Sequence, residues 1–190
     1  GSLPATNVVV VNVEPALPPL LDLVDLSDFP LVLLGRDEWT LDPSKTGVEW
    51  VDTSGAGGTT WIGVETLRTP AEKRSVGDIF WDWGVPTAPA LLYARRRSFN
   101  VIASGGLRSG LDAARAIALG ANLAGMALPW LRSAYKEGYE ASLEFGQTTI
   151  RALKTACVLT GSPDLDSLRE TPRKLDRKLR DWSDADPRSG

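Results

Sequence analysis

Ile102 to Asn122, IASGGLRSGLDAARAIALGAN, is the stretch whose reading decides the fold. The short apolar run Asn100 to Ala103 reads as a buried strand that ends at Ser104-Gly105-Gly106. An amphipathic helix is expected from Ser109 to Leu119. Ser109 and Asp112 have capping-box-like spacing, Asp112 complements the positive helix start, and Gly120 stands where a glycine closes a helix. A strand, a glycine turn and a capped helix place backbone N–H groups at the mouth of a sheet, unhindered by side chains at Gly105 and Gly106. Such a concavity of amides binds anions.

Outward from this unit, short β-branched runs alternate with helical ones, the pattern of an α/β protein with a parallel sheet. Strands are expected at Val8 to Val13, Pro30 to Leu34, Val48 to Thr53, Asn100 to Ala103 and Asn122 to Ala127. The last ends at Gly125-Met126-Ala127, where a following short helix aims its N-terminus at the same anion site. A helix is expected from Thr87 to Arg97, with Thr87 as its cap, an early proline in its first turn and Arg95, Arg96 and Arg97 at its negative end. A longer one near Glu140 to Thr160 carries Leu143, Gly146, Ile150, Leu153, Cys157 and Thr160 on one face and stops at Gly161. Cys157 is expected as a small core residue. The segments between the first three strands are short and rich in proline and turn residues, so that half looks pared down. Residues 1–162 are expected to form the domain, and the charge-dense 163–190 a short helix and tail.

Composition narrows the chemistry. The 190 residues contain no histidine, which excludes Ser-His and Cys-His nucleophile pairs, an imidazole base and His-ligated zinc. A single cysteine excludes an internal disulfide and a thiolate zinc cluster, and suits a reducing cytosol. With 21 Lys and Arg against 24 Asp and Glu, the net charge of −3 is not that of a nucleic-acid binder. No apolar run is long enough to span a membrane, no leader pattern is visible, and a cytoplasmic protein is expected. A third glycine-rich strand end, Ser54 to Thr60 (SGAGGTT), adds hydroxyls at Ser54, Thr59 and Thr60. Trp61, Trp81 and Trp83 lie in or just after these loops and either pack or cover a flat ligand.

Together the stretches DTSGAGGTTWIGVE (Asp52 to Glu65), WGVPT (Trp83 to Thr87), the SGG segment above and LAGMA (Leu123 to Ala127) resemble the FMN-dependent type 2 isopentenyl diphosphate isomerases. The resemblance runs from about Val48 to Gly161. It implies an FMN-type (β/α)8 TIM barrel, of which this chain represents strands four to eight. It also implies flavin phosphate contacts at Ser104, Gly105, Gly106, Arg108, Gly125, Met126 and Ala127, with further flavin contacts at Gly58 and Thr59. Reduced FMN, rather than a protein side chain, is then the acid and base of the reaction.

The chain departs from the family pattern in the substrate half. Where the family has a His-x-Asn-Pro-x-Gln-Glu segment that holds diphosphate and magnesium, this chain has Asn12, Glu14, Leu17 and Pro18 in place of the histidine, asparagine, glutamine and glutamate. Glu14 cannot donate a hydrogen bond and is anionic beside a diphosphate. A flavin-contacting lysine aligns with Leu34, leaving Arg36 as the nearest cation. Asn12, Glu14 and Arg36 are the candidate substrate residues, and Mg2+ is not expected because its glutamate ligand aligns with Pro18. Eight strand-helix units take about 250 residues, and five strands leave an open edge that seeks a partner. The expected function is therefore FMN-dependent isomerisation of isopentenyl diphosphate or a related prenyl diphosphate, with a homo- or hetero-oligomer completing the barrel. The alternative is a catalytically degenerate paralogue that binds, scaffolds or regulates.

Overall fold

A computed structural model of the chain describes residues 8–10, 50–96 and 100–184. Among the described residues, four strands form one parallel sheet in sequential order: β1 (Val8–Val10), β2 (Trp50–Asp52), β3 (Asn100–Ala103) and β4 (Leu123–Ala124). Val8 pairs with Trp50, Trp50 with Asn100, and Ile102 with Leu123, so all the strands run toward one end of the sheet. Parallel neighbours in chain order require helical crossovers. Between β2 and β3 these are α1 (Trp61–Arg68), α2 (Ser75–Ile79) and α3 (Thr87–Ala94); between β3 and β4 it is α4 (Gly110–Ala118). The long helical run α5 (Leu128–Thr160) follows β4, then α6 (Leu165–Glu170) and α7 (Arg177–Asp184). The α/β class is the one expected. The second expected strand, residues 30–34, and the end of the first lie outside the described residues.

The core lies between the sheet and these helices. Val101 and Ala103 from β3 meet Leu91 and Ala94 from α3, Ala114 and Ile117 from α4, and Leu168 from α6. Leu91, Ile117 and Val101 are its largest fully buried side chains, each stabilising the fold by about 1.5 to 3 kcal/mol. Leu153, Ala156 and Cys157 of α5 pack against this cluster, as expected of Cys157.

Three expectations are corrected. Thr87 is not the cap of α3: Pro86 takes that position, and the Thr87 hydroxyl donates instead to the Gly105 carbonyl. The strand expected over Asn122 to Ala127 contains only Leu123 and Ala124. Asn122 still holds the edge of β3, its Oδ1 accepting from the Val101 N–H at 2.8 Å, while the chain past Gly125 turns to begin α5. Finally, the apolar stripe of α5 is displaced. Ile150 is 55% exposed and Leu143 44%, because α4 seats its Gly110 against Thr149, Ala152 and Leu153, and Leu153, Ala156 and Cys157 take the core-facing side.

The run α5 is two helices. At Gly138 (φ 85°, ψ −166°) the backbone leaves helical geometry. In a straight helix Trp130 and Gly146 would stand about 24 Å apart. Here a Cβ on Gly146 would lie 2.7 Å from the Trp130 ring, and Trp130 meets Phe145 edge to face at 5.1 Å. The chain therefore doubles back at Gly138, giving the expected short helix after β4 and then the long one. Nothing crowds the Cβ position of Gly138, so glycine is required there by the dihedral angles alone.

Candidate functional site

At the C-terminal ends of β2, β3 and β4 lies a cavity of about 580 Å³, within the ordinary range for small-molecule sites of about 300 to 1,000 Å³. The parallel sheet dictates this location, since loops leaving the carboxyl ends of adjacent strands converge on one face. The structure brings Gly58, Thr59, Ser104, Gly105, Gly106, Arg108, Gly125, Met126 and Ala127 together around this one space. Asn12, Glu14 and Arg36 lie outside the described residues.

The loops after β2 and β3 are packed backbone against backbone. Gly105 and Gly106 both have φ of 96°, and a Cβ on either would stand 2.1 Å from a carbonyl oxygen, that of Gly55 or Gly57. Gly55 in turn donates its N–H to the Ser104 carbonyl at 3.0 Å. The Thr87 hydroxyl ties the start of α3 to the same loop through Gly105. The glycines thus serve the joining of two loops, and the exposed amides follow from it.

Those loops bring unpaired amides to the cavity wall. Among the described residues, the N–H groups of Gly105, Gly106, Met126 and Ala127 donate to no protein acceptor. The first turn of α5, Leu128 and Pro129, borders the cavity, and α5 has no side-chain cap. Its positive end is open to an anion. The neighbouring start of α4 is closed by its own residues: Ser109 Oγ accepts from the Asp112 N–H at 3.2 Å, and Asp112 Oδ2 accepts from the Arg108 N–H at 3.2 Å. Arg108 is the one cationic side chain among the described lining residues.

Gly125 differs from the other glycines. The nearest atoms to a Cβ there are at 3.5 to 3.9 Å, ordinary contact distances, so the missing methyl serves no protein packing and leaves room in the cavity. Free amides, an uncapped helix, an arginine and this clearance fit the phosphate end of a flavin mononucleotide.

Asp52 lines the cavity and was not among the expected contacts. Asp52 ends β2, and its Oδ1 accepts from the Ser104 hydroxyl and from the Ser54 N–H at 2.9 Å. Ser54 has φ of 38°, an unusual value for a residue with a side chain. A carboxylate on the last residue of a parallel strand was the available signal for Asp52. Beside the main cavity, a smaller hollow of about 170 Å³ is bordered by Ser54, Thr59, Trp81 and Trp83. Trp81 also packs over Gly63 of α1, and Trp83 meets Phe80 edge to face at 5.6 Å.

Comparison with known proteins agrees with this geometry. Residues 84–174 match the profile of the FMN-dependent dehydrogenase family. A mandelate oxidase solved with a monooxide FMN adduct superposes with a TM-score of 0.57 at 21% identity, over 85% of this chain and 47% of that one. Lactate oxidase of Pediococcus acidilactici gives 0.56 at 17% identity, over 80% of this chain and 39% of that one. The fold is of the parallel α/β class to which these oxidases belong.

Sequence similarity is more specific. The chain is 38% identical over 178 residues to isopentenyl-diphosphate delta-isomerase of Methanothermobacter thermautotrophicus, covering 90% of this chain and 50% of that one. It is 43% identical over 141 residues to the enzyme of that name from Archaeoglobus fulgidus, covering 74% of this chain and 40% of that one. The chain belongs to the type 2 isopentenyl-diphosphate isomerase family, and it spans about half the length of these curated relatives.

Proposed function

We propose that this chain carries the FMN-binding half of a type 2 isopentenyl-diphosphate isomerase, with its sheet corresponding to the closing strands of the barrel, and that it works as an oligomer whose partner completes the site. The observation that carries this reading is the wall of free amides at Gly105, Gly106, Met126 and Ala127, joined by the open end of α5 and by Arg108. The amides and helix end bind the phosphate, Arg108 neutralises it, and Gly58 and Thr59 border the flavin. When bound, reduced FMN supplies the acid and base that move a proton between C2 and C4 of the substrate. The protein orients the cofactor through these contacts.

Visible absorbance and fluorescence quenching on titration with FMN test the reading. Binding by the wild-type chain is expected, weakened about tenfold in Arg108→Ala by loss of a charge-assisted contact. A chain that takes up no flavin overturns it. The degenerate-paralogue reading rests on Asn12, Glu14, Leu17, Pro18 and Leu34, which the resemblance aligns with the family's diphosphate, magnesium and flavin ligands. Flavin binding without turnover of isopentenyl diphosphate, alone or with a co-purifying partner, selects it.

A further inference from the structure

Resting on that reading and deepening it, we infer that Asp52 is a cofactor-positioning residue that gives the cavity an acceptor end for the hydroxyl-bearing chain of a phosphorylated ligand. The observations concern what surrounds its carboxylate. Oδ1 accepts twice, from the Ser104 hydroxyl and from the Ser54 N–H, whereas among the described residues nothing donates to Oδ2. Asp52 is half-buried and borders the cavity. That leaves Oδ2 as the carboxylate oxygen available to a ligand of the cavity.

The bond from Ser104 matters as much. A serine hydroxyl has one proton and two lone pairs. With its proton committed to Asp52, Ser104 offers a ligand only lone pairs. The ends of β2 and β3 thus present acceptors, Asp52 Oδ2 and Ser104 Oγ, and the loops after β3 and β4 present donors. Asp52 ends a strand two positions from β4, whose following loop carries the Met126 and Ala127 amides, a lateral distance of about 10 Å at ordinary strand spacing. A phosphate alone cannot bridge such a span. A phosphate ester of an extended polyol can, with its anion on the amides and its hydroxyls donating to Asp52 and Ser104. The same carboxylate also holds the Ser54 backbone in its left-handed conformation, fixing the loop that borders both hollows.

The test compares two probes, FMN and inorganic phosphate, on wild-type protein and on Asp52→Ala, Asp52→Asn and Ser104→Ala. Calorimetry measures FMN, and nuclear magnetic resonance shifts of the glycine amides measure phosphate. Asp52→Ala is expected to weaken FMN about tenfold or more, as for loss of a hydrogen bond to a charged group, and to leave phosphate affinity unchanged. Asp52→Asn, which retains an acceptor for Ser104, is expected to lose less, and Ser104→Ala provides the second measurement should the Asp52 variants not fold. Equal weakening of FMN and phosphate, or no weakening of FMN in any soluble variant, overturns the assignment while the flavin reading stands. Failure of the wild type to bind FMN overturns both.

Discussion

Single atoms decide what each glycine of the site is for. Gly105 and Gly125 look alike in sequence, both following an apolar strand, yet they answer to different demands. A methyl on Gly105 collides with the Gly55 carbonyl in a left-handed conformation, and backbone strain of that kind costs about 1 to 3 kcal/mol. Gly105→Ala is therefore expected to lower the unfolding free energy by about 2 kcal/mol or more, measured by urea denaturation. A methyl on Gly125 meets only ordinary contacts. Gly125→Ala is expected to unfold within about 0.5 kcal/mol of wild type, as for substitutions free of named defects, while binding FMN more weakly because the methyl enters the cavity. Stability loss in the first and affinity loss in the second separate two roles that one letter conceals.

Elements were legible where their signals are local. The unit from β3 through α4 is as expected because the Ser109 cap, Asp112 and the closing Gly120 lie within one stretch. The same local chemistry governs α6, where Asp164 Oδ1 accepts from the Ser167 N–H at 2.7 Å. The Ser167 backbone hydrogen bond, followed by one from its side chain, holds the Asp164 carboxyl below the usual aspartate range. A depressed folded value means the cap stabilises α6 above the ordinary aspartate pKa and is lost as pH falls through the folded one. Hydrogen-exchange protection at the Ser167 amide is expected to fall over that acidic window, and Asp164→Asn, still a cap, to remove the dependence. Elements shaped by distant partners were not legible. Thr87 has every local mark of a cap, but the Gly105 carbonyl, eighteen positions away, takes its hydroxyl. Ile150 repeats at a helical interval with Leu153 and Cys157, yet the close seating of α4 at Gly110 leaves it turned outward. The doubling back of α5 depends on Trp130 finding Gly146, which no periodicity encodes.

For the whole molecule, the site lies on the rim of a small core rather than within it, so occupancy is expected to matter to stability. A ligand at a hundredfold its dissociation constant adds about 2.7 kcal/mol, worth about 5 to 10 °C in a domain of this size. FMN is expected to raise the melting temperature by that amount, and a melting curve indifferent to FMN counts against the proposed function. No helix among the described residues is long and apolar enough to cross a membrane. The close seating of the two glycine loops has one more result, and it concerns inheritance. Because Gly105 and Gly106 bear on the backbone of Gly55 and Gly57, neither loop can drift in sequence without dislodging the other. The letters that mark the family are kept by the need to fold, and a lineage that stopped isomerising anything would still spell them. In this chain Gly55, Gly57, Gly105 and Gly106 are a record of ancestry and architecture, and the record of present-day chemistry has to be sought at Gly125 and at the Arg108 side chain, which the packing of these loops does not require.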